Sequence, residues 1–324
     1  MTFLFSDTLT DFKVPVLLFS GGEPLLRQDL IHLIKYTVSK GIRVVISTNG
    51  TLISKEKAAL LKESGVKYVG ISLDGIGENN DKFRGKNGAY EAALAGIRNC
   101  IEVGQKTGLR FTINKHNYKD IEMIFELIEK EKIPRVCFYH LAYSGRGSSM
   151  QNEDITDEEK RAVVKLIMDK TLDFHNRGIK VEILTVDNHA DGVYIYNLVK
   201  EFDTKRGDKI IELLKINGGN RSGIAIGNVD WNGDVHPDQF SQDITLGNIR
   251  ERTFGDIWSD TSNPVMAGFK NRKPLLEGRC GDCRWLDICN GNFRARAAAN
   301  GNLWGEDPAC YLTNEEIGIT KRGE

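Results

Sequence analysis

The chain has 324 residues, 40% of them hydrophobic, and Lys plus Arg (44) nearly cancels Asp plus Glu (45), leaving a net charge of −1. That length and apolar content build a core without disulfide staples, and the balanced charge, with no basic stripe among aromatics, argues against nucleic acid as a partner. No charged-then-apolar leader opens the sequence and no apolar run approaches the ~18 residues of a membrane span, so the expected setting is a reducing cytoplasm with no membrane partner.

Short runs rich in β-branched and aromatic residues at 14–20, 43–47, 68–72, 109–113 and 135–140 predict strands buried on both faces. Amphipathic patterns between them predict helices at 28–40, 55–64, 90–107 and 118–132. Ser54 reads as an N-cap, and Gly41 and Gly65 as left-handed stops. Repeated β-α units of ~25–30 residues imply a parallel sheet or partial barrel with right-handed crossovers. A long helix follows from Thr156 to Arg177, then a strand at 180–185 and a polar loop at 187–192 able to face a site. Residues 200–220 read as linker and surface helix. A hairpin is predicted from 224–229, a turn at Asn232-Gly233, and 234–236, with a short helix at 253–258 after it.

In such folds the chemistry sits at the C-terminal ends of the strands. Those ends read Ser20-Gly21-Gly22-Glu23-Pro24, Ser47-Thr48-Asn49-Gly50, Ser72-Leu73-Asp74-Gly75 and Asn114-Lys115-His116-Asn117, and the fifth runs into Tyr139-His140 and Ser144-Gly145-Arg146-Gly147. Each alone is ordinary turn chemistry. Their succession suggests a shared ligand.

Six cysteines are present. Cys100 and Cys137 sit in apolar contexts and read as core. Cys280, Cys283, Cys289 and Cys310 run as C-x₂-C-x₅-C-x₂₀-C in a segment rich in Gly, Asn, Arg and Asp. In a reducing compartment such a cluster means metal rather than disulfides, and spacing alone leaves structural zinc and an iron–sulfur cluster both open.

Ser20-Gly21-Gly22-Glu23-Pro24 after an apolar strand resembles the GGEP motif of radical S-adenosylmethionine (SAM) enzymes, and Ser47–Gly50 and Ser72–Gly75 match that family's next two strand ends. The hairpin, helix and clustered cysteines resemble its C-terminal auxiliary-cluster module, SPASM. The resemblance implies an α/β fold: a partial (β/α)6 radical SAM barrel lacking its first strand over residues 1–199, and a SPASM-like auxiliary cluster domain over 200–324. It implies SAM bound by Gly21, Gly22, Glu23, Asn49, Ser72 and Asp74. It assigns Cys280, Cys283, Cys289 and Cys310 to one auxiliary [4Fe-4S] cluster. The family's C-x₃-C-x₂-C loop for the SAM-cleaving [4Fe-4S] cluster is absent from this sequence, which has no cysteine before Cys100. The expectation is therefore an N-terminally truncated chain, with that cluster, and activity, in a full-length form only. Ser222 and Asp238 stand near the places of further SPASM cysteines, and Asp238 reads as a surface carboxylate.

The runs 138–147, 289–297 and 307–312 resemble the haem-biosynthesis branch. This implies removal of side-chain carboxyl carbon from a siroheme-derived tetrapyrrole, as in didecarboxysiroheme deacetylation or the related haem synthesis of denitrification, with ferredoxin or flavodoxin as electron donor. Arg fits carboxylates bidentately, so Arg146, Arg294 and Arg296 are substrate candidates, with His140 and His189 for the substrate iron or a carboxylate. The rival readings are a peptide-modifying radical SAM/SPASM maturase and a non-catalytic tetrapyrrole- or cluster-binding protein.

Overall fold

The computed structural model describes residues 2–319, apart from the side chains of residues 2–4, 146 and 149. Two compact units emerge. One comprises the chain up to Tyr139, Lys170–Leu184 and Thr253–Gly255; the other comprises His140–Asp169, Thr185–Arg252 and the chain from Asp256 onward.

The first unit starts with helix α1 (Thr2–Asp11) and strand β1 (Val16–Phe19), then alternates α2 (Leu30–Ser39), β2 (Arg43–Thr48), α3 (Lys55–Glu63) and β3 (Tyr68–Ser72). Two helices, α4 (Glu78–Arg84) and α5 (Ala89–Glu102), precede β4 (Thr107–Thr112), and α6 (Ile121–Glu131) leads to β5 (Arg135–Tyr139). Helix α7 (Asp157–Asn176) and β6 (Glu182–Val186), each divided between the two units, complete a six-stranded sheet in the order β1-β2-β3-β4-β5-β6, with β1 to β5 paired in parallel. Ser54 caps α3 by accepting from the Lys57 N–H at 3.2 Å, and Gly41 and Gly65 take positive φ at helix ends, as expected.

The period-2 alternation of the strands separates two faces. Val44, Ile46, Val69, Ile71, Leu109, Phe111, Val136 and Phe138 are at most 1% exposed and form the helix-covered side. The other face carries small and polar residues in register: Ser47 beside Gly70 beside Gly108, then Ser72 beside Arg110 beside Cys137, then Thr112 beside Tyr139.

Helix α5 ends at Glu102 rather than 107, because Gly104 takes a left-handed φ and the next residues enter β4. Helix α4, ENNDKFR, lacks apolar periodicity, so nothing in the pattern announced it. A Cβ on Gly96 of α5 would lie 2.4 Å from the Gly50 carbonyl oxygen, so this helix seats directly on the turn after β2. Gly96→Ala is expected to destabilise the chain by about 1–3 kcal/mol through overpacking, read as a lower urea midpoint at constant m-value.

In the second unit, α8 (Ala190–Phe202) begins inside the expected polar loop, and α9 (Thr204–Asn217) occupies the expected linker and surface helix. Strands β7 (Asn228–Val229), β8 (Asp234–His236) and β9 (Gly247–Asn248) form an antiparallel sheet, with Gly233 at φ +90° in the predicted turn. The predicted short helix is α10 (Phe254–Ser259), whose first two residues belong to the first unit. Helices α11 (Pro264–Lys270), α12 (Leu286–Cys289) and α13 (Arg294–Ala299) follow. Val164, Ala190, Val193, Tyr194, Ile288, Tyr311, Leu312 and Ile317 pack as one apolar cluster. Among the described residues no helix is long and apolar enough to cross a membrane.

Candidate functional site

The rim after β1 and β2 is organised by Glu23. Its carboxylate accepts from the Leu25 N–H (3.1 Å), the Thr48 hydroxyl (2.6 Å) and the Asn49 N–H (2.8 Å). A carboxylate offers about four acceptor positions, so roughly one stays open for a cationic ligand. Gly21 has φ +127°, outside the range of side-chain-bearing residues, and a Cβ on Gly21 or Gly22 would meet no protein atom within 4 Å. Both glycines are exposed, so a ligand can approach their backbone closely. The Asn49 Oδ1 accepts from the Thr51 N–H and hydroxyl at 2.9 and 2.8 Å, while its Nδ2 donates to nothing among the described residues.

Ser72 is half-buried at the end of β3. Asp74 follows two residues beyond Ser72. It is 1% exposed; one oxygen accepts from the Thr112 N–H at 2.6 Å and the other pairs with Arg84. It braces β3 against β4.

The four C-terminal cysteines are free thiols lining one cavity, together with Ala190, Arg279, Trp285, Asp307 and Ile317. Burial, with repulsion from neighbouring thiols, pushes Cys289 well up, and burial pushes Cys310 up to about 12. A group supplying positive charge among them is what such thiols require to ionise. Sulfurs around a single zinc would stand ~3.8 Å apart, given Zn–S near 2.3 Å; among the described residues no three His, Cys, Asp or Glu side chains converge on a point for one ion. Four thiols on one cavity are a donor set that zinc and an iron–sulfur cluster both take. The Trp285 backbone N–H points at the Cys283 sulfur at 3.4 Å, a contact that would tune the potential of a cluster held there.

The ligand loops are fixed by buried polar groups. The Cys289 carbonyl accepts from the Asn220 N–H at 3.1 Å, and Gly219 has no room for a Cβ, which would lie 2.2 Å from the same carbonyl oxygen. Asn290 and Asn292, both at φ +54°, reach Asn220 and Asn188 respectively. Arg279 spans from beside Cys280 to the Leu312 carbonyl and to Asn314.

Of the expected substrate-binding residues, Arg294, Arg296 and His140 are buried and bonded within the protein. Arg296 is fully buried and pairs with Asp307 through two 2.8 Å bonds, while its other donors reach the Leu141 and Asp187 carbonyls at 3.0 and 2.6 Å. Arg294 is equally buried and donates to the carbonyls of Gly291, Leu303 and Gly305. His140 is 2% exposed and bonds Asp191 at 2.9 Å, and Asp191 also accepts from the Tyr311 hydroxyl at 2.7 Å. His189 is half-buried, and desolvation lowers it to about 4, keeping the ring neutral. Arg146 lies in the 3-10 stretch Gly145–Glu153, its side chain outside the described residues. Asp238 corrects the surface reading: it is 2% exposed and bonded to the Ser222 hydroxyl. Sequence reasoning passed over Asp307 and Arg279, whose one signal was proximity to Cys310 and Cys280.

Comparison with known proteins joins these features. The radical SAM superfamily model matches residues 7–128, and the SPASM iron–sulfur cluster-binding domain matches residues 226–284. The chain is 58% identical over 316 residues to an Fe-coproporphyrin III synthase of Methanosarcina barkeri, covering 96% of this chain and 79% of that one. It is 42% identical to a pre-heme d1 synthase of Dinoroseobacter shibae, covering 96% and 78%. Streptococcus suis SuiB bound to S-adenosylmethionine shares the fold at a TM-score of 0.71 and 20% identity, over 96% of this chain and 69% of that chain.

Proposed function

The chain belongs to the radical SAM superfamily, with a SPASM iron–sulfur domain and its relatives in haem biosynthesis, and from that membership we propose that it deacetylates a didecarboxysiroheme. The observation that carries this is the 58% identity to an Fe-coproporphyrin III synthase across 96% of the chain. Loss of acetate chains from a didecarboxysiroheme leaves propionates as its carboxylates, which is the coproporphyrin pattern.

In this reading the SAM ammonium sits against the remaining acceptor position of Glu23 and the exposed backbone of Gly21 and Gly22. Asn49 Nδ2 and the Ser72 hydroxyl donate to its carboxylate or ribose, while Asp74 holds the rim in place. Cys280, Cys283, Cys289 and Cys310 hold the auxiliary [4Fe-4S] cluster. One electron from a SAM-cleaving cluster would split SAM into methionine and a 5′-deoxyadenosyl radical, which would take hydrogen from the substrate; no cysteine precedes Cys100 in this sequence to hold that cluster. A ferredoxin or flavodoxin delivers the electron, in the cytoplasm where the thiols stay reduced.

Anaerobic titration with didecarboxysiroheme tests the reading. A saturable Soret shift at one macrocycle per chain is the expected result, and no shift at micromolar protein sinks it. Glu23→Gln replaces one acceptor oxygen by a donor facing the Thr48 or Asn49 donors. The SAM Kd is expected to rise ~10–100-fold by calorimetry, the worth of a charged hydrogen bond.

A further inference from the structure

The face of the parallel sheet away from its helices carries a cation without an anion among the described residues. Three arginines of the first unit, Arg84, Arg110 and Arg135, are half-buried. Arg84 pairs with Asp74, and Arg135 lies 3.4 Å from Glu182. The Arg110 guanidinium makes neither an ion pair nor a hydrogen bond among the described residues. Its contact is the Tyr139 ring, 4.5 Å from the guanidinium carbon to the ring centroid.

The surrounding residues are built around that side chain. Arg110 stands opposite Ser72 on β3 and Cys137 on β5, one register step from the rim row of Thr112 and Tyr139. A Cβ on Gly70 would come within 2.9 Å of Arg110 Cδ, so a glycine clears the path of its stem across β3. A Cβ on Gly108 would lie 2.4 Å from the Tyr68 hydroxyl, so the second glycine makes room for the ring flanking that stem. The stem thus passes Gly70 beside the Tyr68 ring, and the guanidinium lies over the Tyr139 ring with its donors unused among the described residues. A half-dry guanidinium without a counter-ion is poorly stabilised, and a planar carboxylate is the group its fork matches.

We propose that Arg110 is the carboxylate anchor of the sheet face that carries Ser72, presented by Gly70, Tyr68 and Tyr139. A side-chain carboxylate of the tetrapyrrole is the ligand that rests on the function proposed above; the methionine carboxylate of SAM has the same chemistry. Arg110 then does what Arg294 and Arg296 were expected to do.

The test uses the anaerobically reconstituted full chain, its Arg110→Gln and Arg110→Lys variants, and three probes: iron coproporphyrin III, its tetramethyl ester, and SAM. Arg110→Gln is expected to weaken iron coproporphyrin III ~10–100-fold and Arg110→Lys less, since an ammonium keeps the charge but loses the bidentate fork. Ester binding is expected to be the same in wild type and variants. A loss confined to SAM supports the anchor and assigns its carboxylate to SAM. Neither affinity moving beyond twofold overturns the proposal. If wild type binds no iron coproporphyrin, the proposed function falls, and the SAM arm alone decides Arg110. Thermal melts identify a misfolded Gln variant, in which case the Lys variant carries the comparison.

Discussion

Arg296→Met is expected to destabilise the chain by about 3–5 kcal/mol, the cost of stranding a buried charge. Both Arg296 and its partner Asp307 are fully buried, and the pair is bidentate. Asp307 also accepts from the Phe293 N–H at 3.0 Å and the Ala309 N–H at 2.9 Å, so its loss of a partner is felt in the segments bearing Cys289 and Cys310. Arg296→Met with Asp307→Leu is expected to recover part of the loss in urea unfolding, since replacing both charges removes the stranded one. The pH dependence gives a second readout. Burial acts to raise Asp307, but the Arg296 charge and hydrogen bonds outweigh it and hold the carboxyl below its usual range. A depressed carboxylate adds stability above its ordinary pKa and loses it as pH falls through the lowered value. In Arg296→Met the isolated carboxyl shifts upward instead, so the stability gap between wild type and variant is expected to close progressively as pH falls, first through the variant's raised value and then through the wild type's lowered one. A constant gap from pH 7 to 3 would rule out this electrostatic account.

Cys289→Ser carries the second large effect. The four thiols line one cavity with Cys289 on the last turn of α12, and a serine oxygen is a poor substitute for a thiolate on iron. The iron and sulfide bound per chain are expected to fall by one cluster, with loss of the corresponding low-temperature electron paramagnetic resonance signal. Cys100→Ser is the control. Cys100 is 0% exposed in α5, and burial raises its thiol to about 11, so it is inert and the iron content is expected to stay unchanged. Equal iron in wild type and Cys289→Ser would remove Cys289 from the ligand set.

The parallel strands were legible because their apolar runs and glycine stops follow directly from backbone and burial physics, and the GGEP rim and cysteine spacing are local patterns. The roles of arginines were not. Arg294 and Arg296 look like surface carboxylate binders in a sequence, because nothing local reveals that the carbonyls of Leu141, Asp187, Leu303 and Gly305 and the carboxylate of Asp307 are waiting for them. Arg110 had the opposite fate. It sits inside a strand run and reads as an interruption of the pattern, and only the register beside Gly70 and Ser72 shows that the neighbouring strand leaves space for it. Asp238 likewise gave no sign of burial, since its partner Ser222 lies 16 positions away.

The two units also differ in how they can be made. Strands β1 to β5 pair each with the next in chain order, so every pairing in that sheet closes soon after its second strand leaves the ribosome. The second unit draws on three separated stretches, and its cavity stays open until Cys310 has been synthesised, long after the sheet is complete. Arg296 must likewise wait for Asp307 while the carbonyls of Leu141 and Asp187 have already emerged. Nascent chains therefore pass through a stage with an assembled sheet and three unpaired, metal-seeking thiols, Cys280, Cys283 and Cys289. Oxygen or zinc reaching those thiols in that window would compete with cluster insertion.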